Sequence, residues 1–77
     1  MDNNIRNVLS KRLEEDNIVL FRLYNALYKI TFMDNKFFIK QEGVEITYTY
    51  DSLYELLNNY KVYGNTLMNE LIDLRIL

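Results

Sequence analysis

An alternation of apolar and polar residues with a period of two is the feature that most constrains the fold of this chain. It is clearest over residues 44–50, where apolar and aromatic side chains fall on one face and Glu45, Thr47 and Thr49 fall on the other. The same alternation runs through residues 28–32. Side chains that alternate in this way predict half-buried β-strands.

Short turn signals separate these stretches. The Asp-Asn pair at 34–35 and the Glu-Gly pair at 42–43 are typical of tight turns, because Asn and Gly tolerate positive φ. Strands joined by such short loops pair with their neighbours, so residues 18–50 are predicted to form an antiparallel β-meander. The segment 18–28 leaves an alternative open, since its leucines and Tyr24 would also form one face of a helix.

Residues 3–15 have the spacing of an amphipathic helix. Asp2 or Asn3 can cap its first turn by accepting a backbone N–H. The Asp-Asn pair at 16–17 is predicted to end the helix and turn the chain.

A second helix is predicted over residues 52–60. Ser52 and Glu55 have the spacing of a capping box, in which each side chain bonds the backbone of the other residue. Gly64 is predicted to end this segment. Its apolar stripe consists of Leu53, Leu56, Leu57 and Tyr60.

The remaining residues, 65–77, begin with a possible cap at Asn65-Thr66 and a turn of helix, but residues 72–76 alternate and favour a strand. The predicted fold is therefore α+β: an N-terminal helix, an antiparallel meander, a capped helix packed on the sheet, and a short C-terminal strand or helix-strand.

Composition excludes most enzymatic chemistry. The chain has 77 residues, enough for one domain, and it contains no Cys and no His. Thiol nucleophiles, thiolate metal sites and the usual zinc ligand are therefore absent, and no base stands beside the hydroxyl candidates Thr49, Ser52 and Thr66. We expect no catalytic residues, no metal and no cofactor, and a binding protein rather than an enzyme.

Charge is distributed unevenly along the chain. The net charge is −2, but residues 1–41 carry a net +2 and residues 42–77 a net −4. The balance argues against a strongly basic nucleic-acid binder. No apolar run approaches a membrane span, and the first residues lack the pattern of a signal peptide. These features predict no nucleic acid, no membrane and a cytoplasmic location.

Seven tyrosines make up an unusual share of the chain. Half-buried packing with the hydroxyl at the rim is the ordinary interpretation of a tyrosine. The functional alternative is an aromatic anchor for a partner protein, because Tyr is enriched at interface hot spots. Tyr60 and Tyr63 lie three residues apart, at a spacing that would let them flank one pocket.

The C-terminal residues carry a family resemblance. Tyr63-Gly64-Asn65-Thr66, followed by Glu70-Leu71-Ile72 and Leu74-Arg75, resembles the end of the small uracil-DNA glycosylase inhibitors of Bacillus phages, a family distinct from Ugi. The resemblance covers about residues 36–77. It divides the single domain 1–77 into an N-terminal extension, 1–35, and an inhibitor-like core, 36–77.

The resemblance implies an acidic homodimer that mimics DNA and blocks base excision repair without chemistry. A hydrophobic pocket takes the apolar residue that the glycosylase inserts into DNA, and Tyr63 matches its tyrosine. Tyr60, Leu56 and Asn59 would complete it, although the family has phenylalanine where this chain has Asn59. The carboxylates that replace phosphates would be Glu45, Asp51, Glu55 and Glu70.

Two alternatives remain open. The chain could be a phage or mobile-element accessory protein of the same fold with a different host target. It could also bind nucleic acid with its tyrosines as stacking platforms, although the acidic C-terminal half argues against this.

The family's acidic residue on the second strand falls on Thr49 here, which weakens the expected phosphate mimicry.

Overall fold

A computed structural model describes the backbone of residues 2–74 and the side chains of residues 6–71. The chain is an α+β protein, as predicted, with three helices and a four-stranded antiparallel sheet in the described part. The elements are α1 (Asp2–Asp16), β1 (Ile18–Leu23), β2 (Ala26–Met33), β3 (Lys36–Gln41), β4 (Thr47–Tyr50), α2 (Leu53–Asn59), β5 (Lys61–Val62), β6 (Asn65–Thr66) and α3 (Leu67–Leu74).

The strands β1 to β4 are hydrogen-bonded in sequence order, which confirms the meander. Residues 18–28 contribute strand β1, a two-residue turn and the start of β2, so the helical alternative for this segment is wrong. The segment is stabilised as a strand because β1 pairs along its full length with β2, from Ile18 opposite Thr31 to Leu23 opposite Ala26.

Three hairpins in the described part of the chain close through two-residue turns with positive φ at both positions. The φ values are 51° and 67° at Tyr24-Asn25, 55° and 62° at Asp34-Asn35, and 52° and 84° at Tyr63-Gly64. Positive φ at both positions defines the type I′ turn, whose twist matches that of the paired strands. Tight turns of one type therefore fix the register of these hairpins.

One face of the sheet, which we call the inner face, carries the core. The helices α1 and α2 pack on this face, and α3 packs against both helices. Core residues come from both 1–35 and 36–77, so the two segments share one hydrophobic cluster. The fully buried side chains of this cluster are Leu9, Leu23, Ile30, Ile39, Leu56, Leu57, Leu67 and Leu71.

The opposite face, which we call the outer face, has no covering element among residues 2–74. Every second residue of each strand points to it, and none of these residues is buried. The cross-strand rows on this face include Leu20 opposite Lys29 and Lys29 opposite Lys40. The meander is thus a two-sided sheet that is packed on one side only.

Strand β4, the last strand of the four-stranded sheet, is shorter than the alternation over residues 44–50 predicts. Only Thr47–Tyr50 pairs with β3, because Thr47 lies opposite Lys40 and residues 42–46 form the connection. The alternating residues at its start remain exposed: Val44 is 37% exposed, Ile46 56% and Tyr48 47%.

The end of α1 and the start of α2 agree closely with the predictions from sequence. The helix α1 ends at Asp16, and Asn17 turns the chain with φ 63°. The proposed caps Asp2 and Asn3 lie outside the described side chains. At α2, the Ser52 hydroxyl accepts a hydrogen bond from the Glu55 N–H at 3.1 Å, which confirms the predicted N-cap.

Gly64 does not end α2, contrary to the prediction. The helix ends at Asn59, and Tyr60 leaves it in an extended conformation that leads directly into β5. Gly64 instead occupies the second position of the β5–β6 turn at φ 84°. A hairpin between the two helices was not anticipated, because strands of two residues leave no periodic signal in the sequence.

The predicted strand over residues 72–76 is also wrong where it can be compared, since residues 72–74 belong to helix α3; residues 75–76 lie outside the described residues. The Thr66 hydroxyl accepts from the Asn69 N–H at 3.4 Å, as expected of a cap. Leu67 and Leu71 are four residues apart and both are fully buried, so helical spacing prevails over the short alternation.

The type I′ turns predict opposite effects of two substitutions. Asn35→Gly should raise the free energy of unfolding by about 0.5–1 kcal/mol, because glycine adopts positive φ without strain. Gly64→Ala should lower it by about 1–2 kcal/mol, although an added Cβ meets nothing within 4 Å, because the penalty is conformational. Urea unfolding of both variants measures these changes; an unaffected Gly64→Ala variant would contradict the turn assignment.

Candidate functional site

Aromatic rings gather where the two tyrosine-containing turns meet the inner face of the sheet. The rings of Tyr24 and Tyr63 meet edge to face with centroids 5.0 Å apart. Tyr60 meets Tyr28 at 6.3 Å and Tyr48 at 5.4 Å, also edge to face. We call the group Tyr24, Tyr28, Tyr48, Tyr60 and Tyr63 the tyrosine patch. Its members span both halves of the chain.

Exposure differs sharply within the tyrosine patch. Tyr63 is 79% exposed and Tyr24 is 53% exposed, whereas Tyr28 is buried beneath them at 4%. Both exposed tyrosines occupy the first position of a type I′ turn, where an aromatic residue is disfavoured. Such backbone strain persists only where the surroundings fix it, and it is common at binding sites.

A buried carboxylate fixes the two turns. Glu70 on α3 is 3% exposed; its Oε1 accepts from the Tyr24 hydroxyl at 2.6 Å and its Oε2 accepts from the Asn65 side-chain amide at 2.9 Å. Hydrogen bonds to a charged acceptor are stronger than neutral ones. Glu70 thus ties the β1–β2 turn and the β5–β6 hairpin to α3, and it does not form part of an acidic rim.

The residues expected to form a pocket with Tyr63 differ in exposure. Leu56 is fully buried in the core and has no surface to offer a partner, while Tyr60 is half-buried against Tyr28 and Tyr48. Tyr63 protrudes from the hairpin tip instead of lining a concavity. Tyr63 lies on the β5–β6 turn, whereas Leu56 is buried within α2.

The other predicted residues lie at the surface. Glu45, Glu55 and Asn59 are exposed, and the Asn59 side-chain amide donates to the Glu55 carbonyl at 2.8 Å. Asp51 is exposed as well, but it pairs with Lys36 at 2.5 Å. That hydrogen bond, together with the charge of Asp51, raises the pKa of Lys36. Three of the four predicted carboxylates are therefore accessible, and one of these three has a cation beside it.

Burial changes the acidity of the tyrosines around Tyr60. Desolvation raises the pKa of Tyr28, Tyr50 and Tyr60, and the neighbouring phenols add to the shift at each. The charges of Tyr63 and Glu70 also raise the pKa of Tyr28. Neutral phenols are therefore favoured across this region, which suits a surface for packing more than one for proton transfer.

Sequence reasoning missed Tyr24 and the supporting role of Glu70. Tyr24-Asn25 lies between two apolar stretches, and Asn at the second turn position was a usable signal for a hairpin. No comparable signal marks Glu70, because its partners lie 46 and 5 residues away in sequence.

No group of His, Cys, Asp and Glu side chains in the described residues is arranged to hold a metal ion. None of the helices described is both long and apolar enough to cross a membrane. Comparisons with protein-family models, with curated proteins and with solved structures give no match for this chain.

Removal of the Glu70 carboxylate should destabilise the protein. Glu70→Ala removes the carboxylate that accepts from the Asn65 amide and the Tyr24 hydroxyl, so we expect a loss of about 1.5–3 kcal/mol in the free energy of unfolding, the range of hydrogen bonds to a charged group. Glu70→Gln keeps one carbonyl acceptor and should lose less. Urea unfolding of the two variants tests the ranking, and equal stability of wild type and Glu70→Ala would contradict the supporting role.

The raised tyrosine pKa values predict an alkaline transition. A tyrosine whose pKa in the native state exceeds its value in the unfolded chain favours the folded state below about pH 10, and this contribution is lost as the pH rises through the native pKa. Tyr60→Phe keeps the ring and removes this titration, so its unfolding should move to higher pH. Absorbance of ionised tyrosine and circular dichroism followed together, with the urea-unfolded chain as reference, measure the shift.

Proposed function

We propose that this chain is a non-catalytic inhibitor that binds a partner protein through the tyrosine patch and the acidic residues Glu45, Asp51 and Glu55. The observation that carries the proposal is the placement of Tyr63, a largely exposed ring on a turn that Glu70 and Tyr24 hold in place. An anchor that is ordered before binding loses little entropy when it binds. Tyrosine is also among the residues that dominate interface energies.

The target we propose is uracil-DNA glycosylase, on the strength of the resemblance at Tyr63-Gly64-Asn65-Thr66. The apolar residue that the enzyme inserts into DNA would pack against the exposed rings of Tyr63 and Tyr24. Carboxylates at Glu45 and Glu55 would face the cationic groove that normally holds phosphates. No reaction step is needed, because occupation of the groove alone excludes DNA.

The inhibitor would act as a homodimer. A single protomer presents Tyr63 on a protrusion, so a closed apolar pocket for the enzyme's residue needs a second wall, which another copy can supply. Two copies would also double the acidic surface facing the enzyme. Sedimentation equilibrium of the free protein measures the oligomeric state directly, and a monomer at the concentration that inhibits would exclude the dimer.

A different host protein is the second candidate. Glu70 is buried and Asp51 is paired with Lys36, so two of the four expected phosphate mimics are already engaged within the chain. Reduced mimicry favours a target that is not a DNA-binding groove. Inhibition of uracil excision distinguishes the two candidates.

A variant that removes the anchor without straining the turn gives the sharpest test. Tyr63→Asn creates an Asn-Gly pair, the most favourable type I′ sequence, so the hairpin should keep its conformation. We expect the complex with bacterial uracil-DNA glycosylase to weaken by roughly 30-fold, about 2 kcal/mol. Titration calorimetry and a uracil-excision assay measure the change.

Tyr54→Asn is the matched control. Tyr54 is 58% exposed on α2, where its ring faces Arg6 at 5.7 Å instead of the tyrosine patch. The same change of residue type there should leave inhibition unaltered. Undiminished uracil excision at excess wild-type protein would rule out the glycosylase as target, and equal weakening by both variants would remove Tyr63 from the site.

A further inference from the structure

The outer face of the sheet collects positive charge. Four of the nine basic residues of the chain lie on it: Arg22, Lys29, Lys36 and Lys40. The four strands contain no Asp or Glu, but Asp51 pairs with Lys36, and Glu42 lines one depression together with Lys29 and Lys40. Arg22, Lys29 and Lys40 therefore supply the positive charge of this face.

Two of these cations are placed against each other. Lys29 on β2 lies directly opposite Lys40 on β3, in the middle of the sheet. Like charges in opposed positions destabilise a sheet, and a bound anion removes that penalty. Arg22 lies in the adjacent cross-strand row, about 7 Å further along the strands. Together the three cations form a row that crosses β3, β2 and β1 diagonally.

A shallow depression lies beside the lysine pair. It is lined by both lysines, by the hydroxyl groups of Thr31 and Thr47, and by Phe38 and Met33. Phe38 is half-buried on the central strand β3, with Thr31 and Thr49 as its cross-strand neighbours. Ammonium and hydroxyl donors are suited to phosphate, and an aromatic face is suited to a base.

We propose that the outer face binds single-stranded nucleic acid, with phosphates along Arg22, Lys29 and Lys40 and a base against Phe38. A duplex presents phosphates but hides the faces of its bases, so it cannot use Phe38. A membrane is less well matched, because lysine and threonine side chains occupy the middle of this face, beside the exposed Ile18, Leu20 and Met33. An acidic protein supplies carboxylates for the lysines but no base to stack on Phe38.

The test uses fluorescence anisotropy of a labelled 12-residue oligothymidylate with the full chain. We expect binding at 50 mM salt that weakens as salt rises, with a logarithmic slope of about −2, since each phosphate contact on a single strand adds about −0.7. A duplex of the same length should bind at least tenfold more weakly. Equal affinity for the duplex would overturn the contact with Phe38.

Two variants and a charge-matched control assign the surface. Lys29→Gln with Lys40→Gln should weaken binding at least tenfold and reduce the salt slope by more than one. Lys11→Gln with Lys61→Gln removes the same charge from exposed positions on α1 and β5, and it should change the affinity less than twofold. Equal loss in both pairs would show general charge attraction and overturn the proposal.

Phe38→Leu separates stacking from charge. It should weaken binding by about tenfold while leaving the salt slope unchanged, because the phosphate contacts remain. Polyglutamate that displaces the oligonucleotide with equal affinity would overturn the proposal in favour of an acidic protein. Binding to phosphatidylserine vesicles without binding to the oligonucleotide would overturn it in favour of a membrane.

The inference is independent of the inhibitor function. Tyr63→Asn should leave oligonucleotide binding intact, because the tyrosine patch and the outer face share no residue. The Lys29→Gln, Lys40→Gln variant should likewise keep its inhibition of the glycosylase. A variant that lost both activities would show that the two surfaces are not separate.

Discussion

One-sided burial of the four-stranded sheet governs the arrangement of the whole chain. The alternation of residues along each strand places apolar side chains on the inner face, and α1 and α2 close that face while α3 packs on both helices. No element of the described residues covers the outer face, and the polar positions on it are lysine, arginine and threonine.

Glu70 holds two strained turns in place through hydrogen bonds. Tyr24 and Tyr63 adopt positive φ, which disfavours an aromatic residue, and both rings lie largely in solvent. A buried carboxylate that bonds Tyr24 and Asn65 connects both turns to α3. Burial of a charge is costly unless it is satisfied, so this arrangement is stable only when both donors are present. The exposed aromatic surface and the interior are therefore coupled through one side chain.

The sequence predicted correctly the elements that depend on neighbouring residues: strand alternation, turn pairs and a helix cap. The meander follows from alternation and turn pairs, and the start of α2 follows from Ser52 and its bond to the Glu55 amide. The β5–β6 hairpin and the helical end of the chain were missed because they are decided by packing: Leu67 and Leu71 reach the core only on a helix. Leu56 is fully buried while Tyr63 is 79% exposed, so two residues that the sequence spacing grouped together do not share an accessible surface.

The net charge of a sequence segment also does not show how charges are distributed over the faces of the folded sheet. A division at residue 41 contrasts a basic half with an acidic half, but strands of the basic half alternate between two faces, and only one of these receives the cations. The net charge of −2 averages over faces that a ligand never meets together, so it does not describe the charge of any single face. Electrostatic attraction is screened within about 10 Å in 0.1 M salt, so a ligand responds to the face in front of it. A chain that is acidic overall can therefore present a cationic sheet to one partner and an aromatic, acidic surface to another.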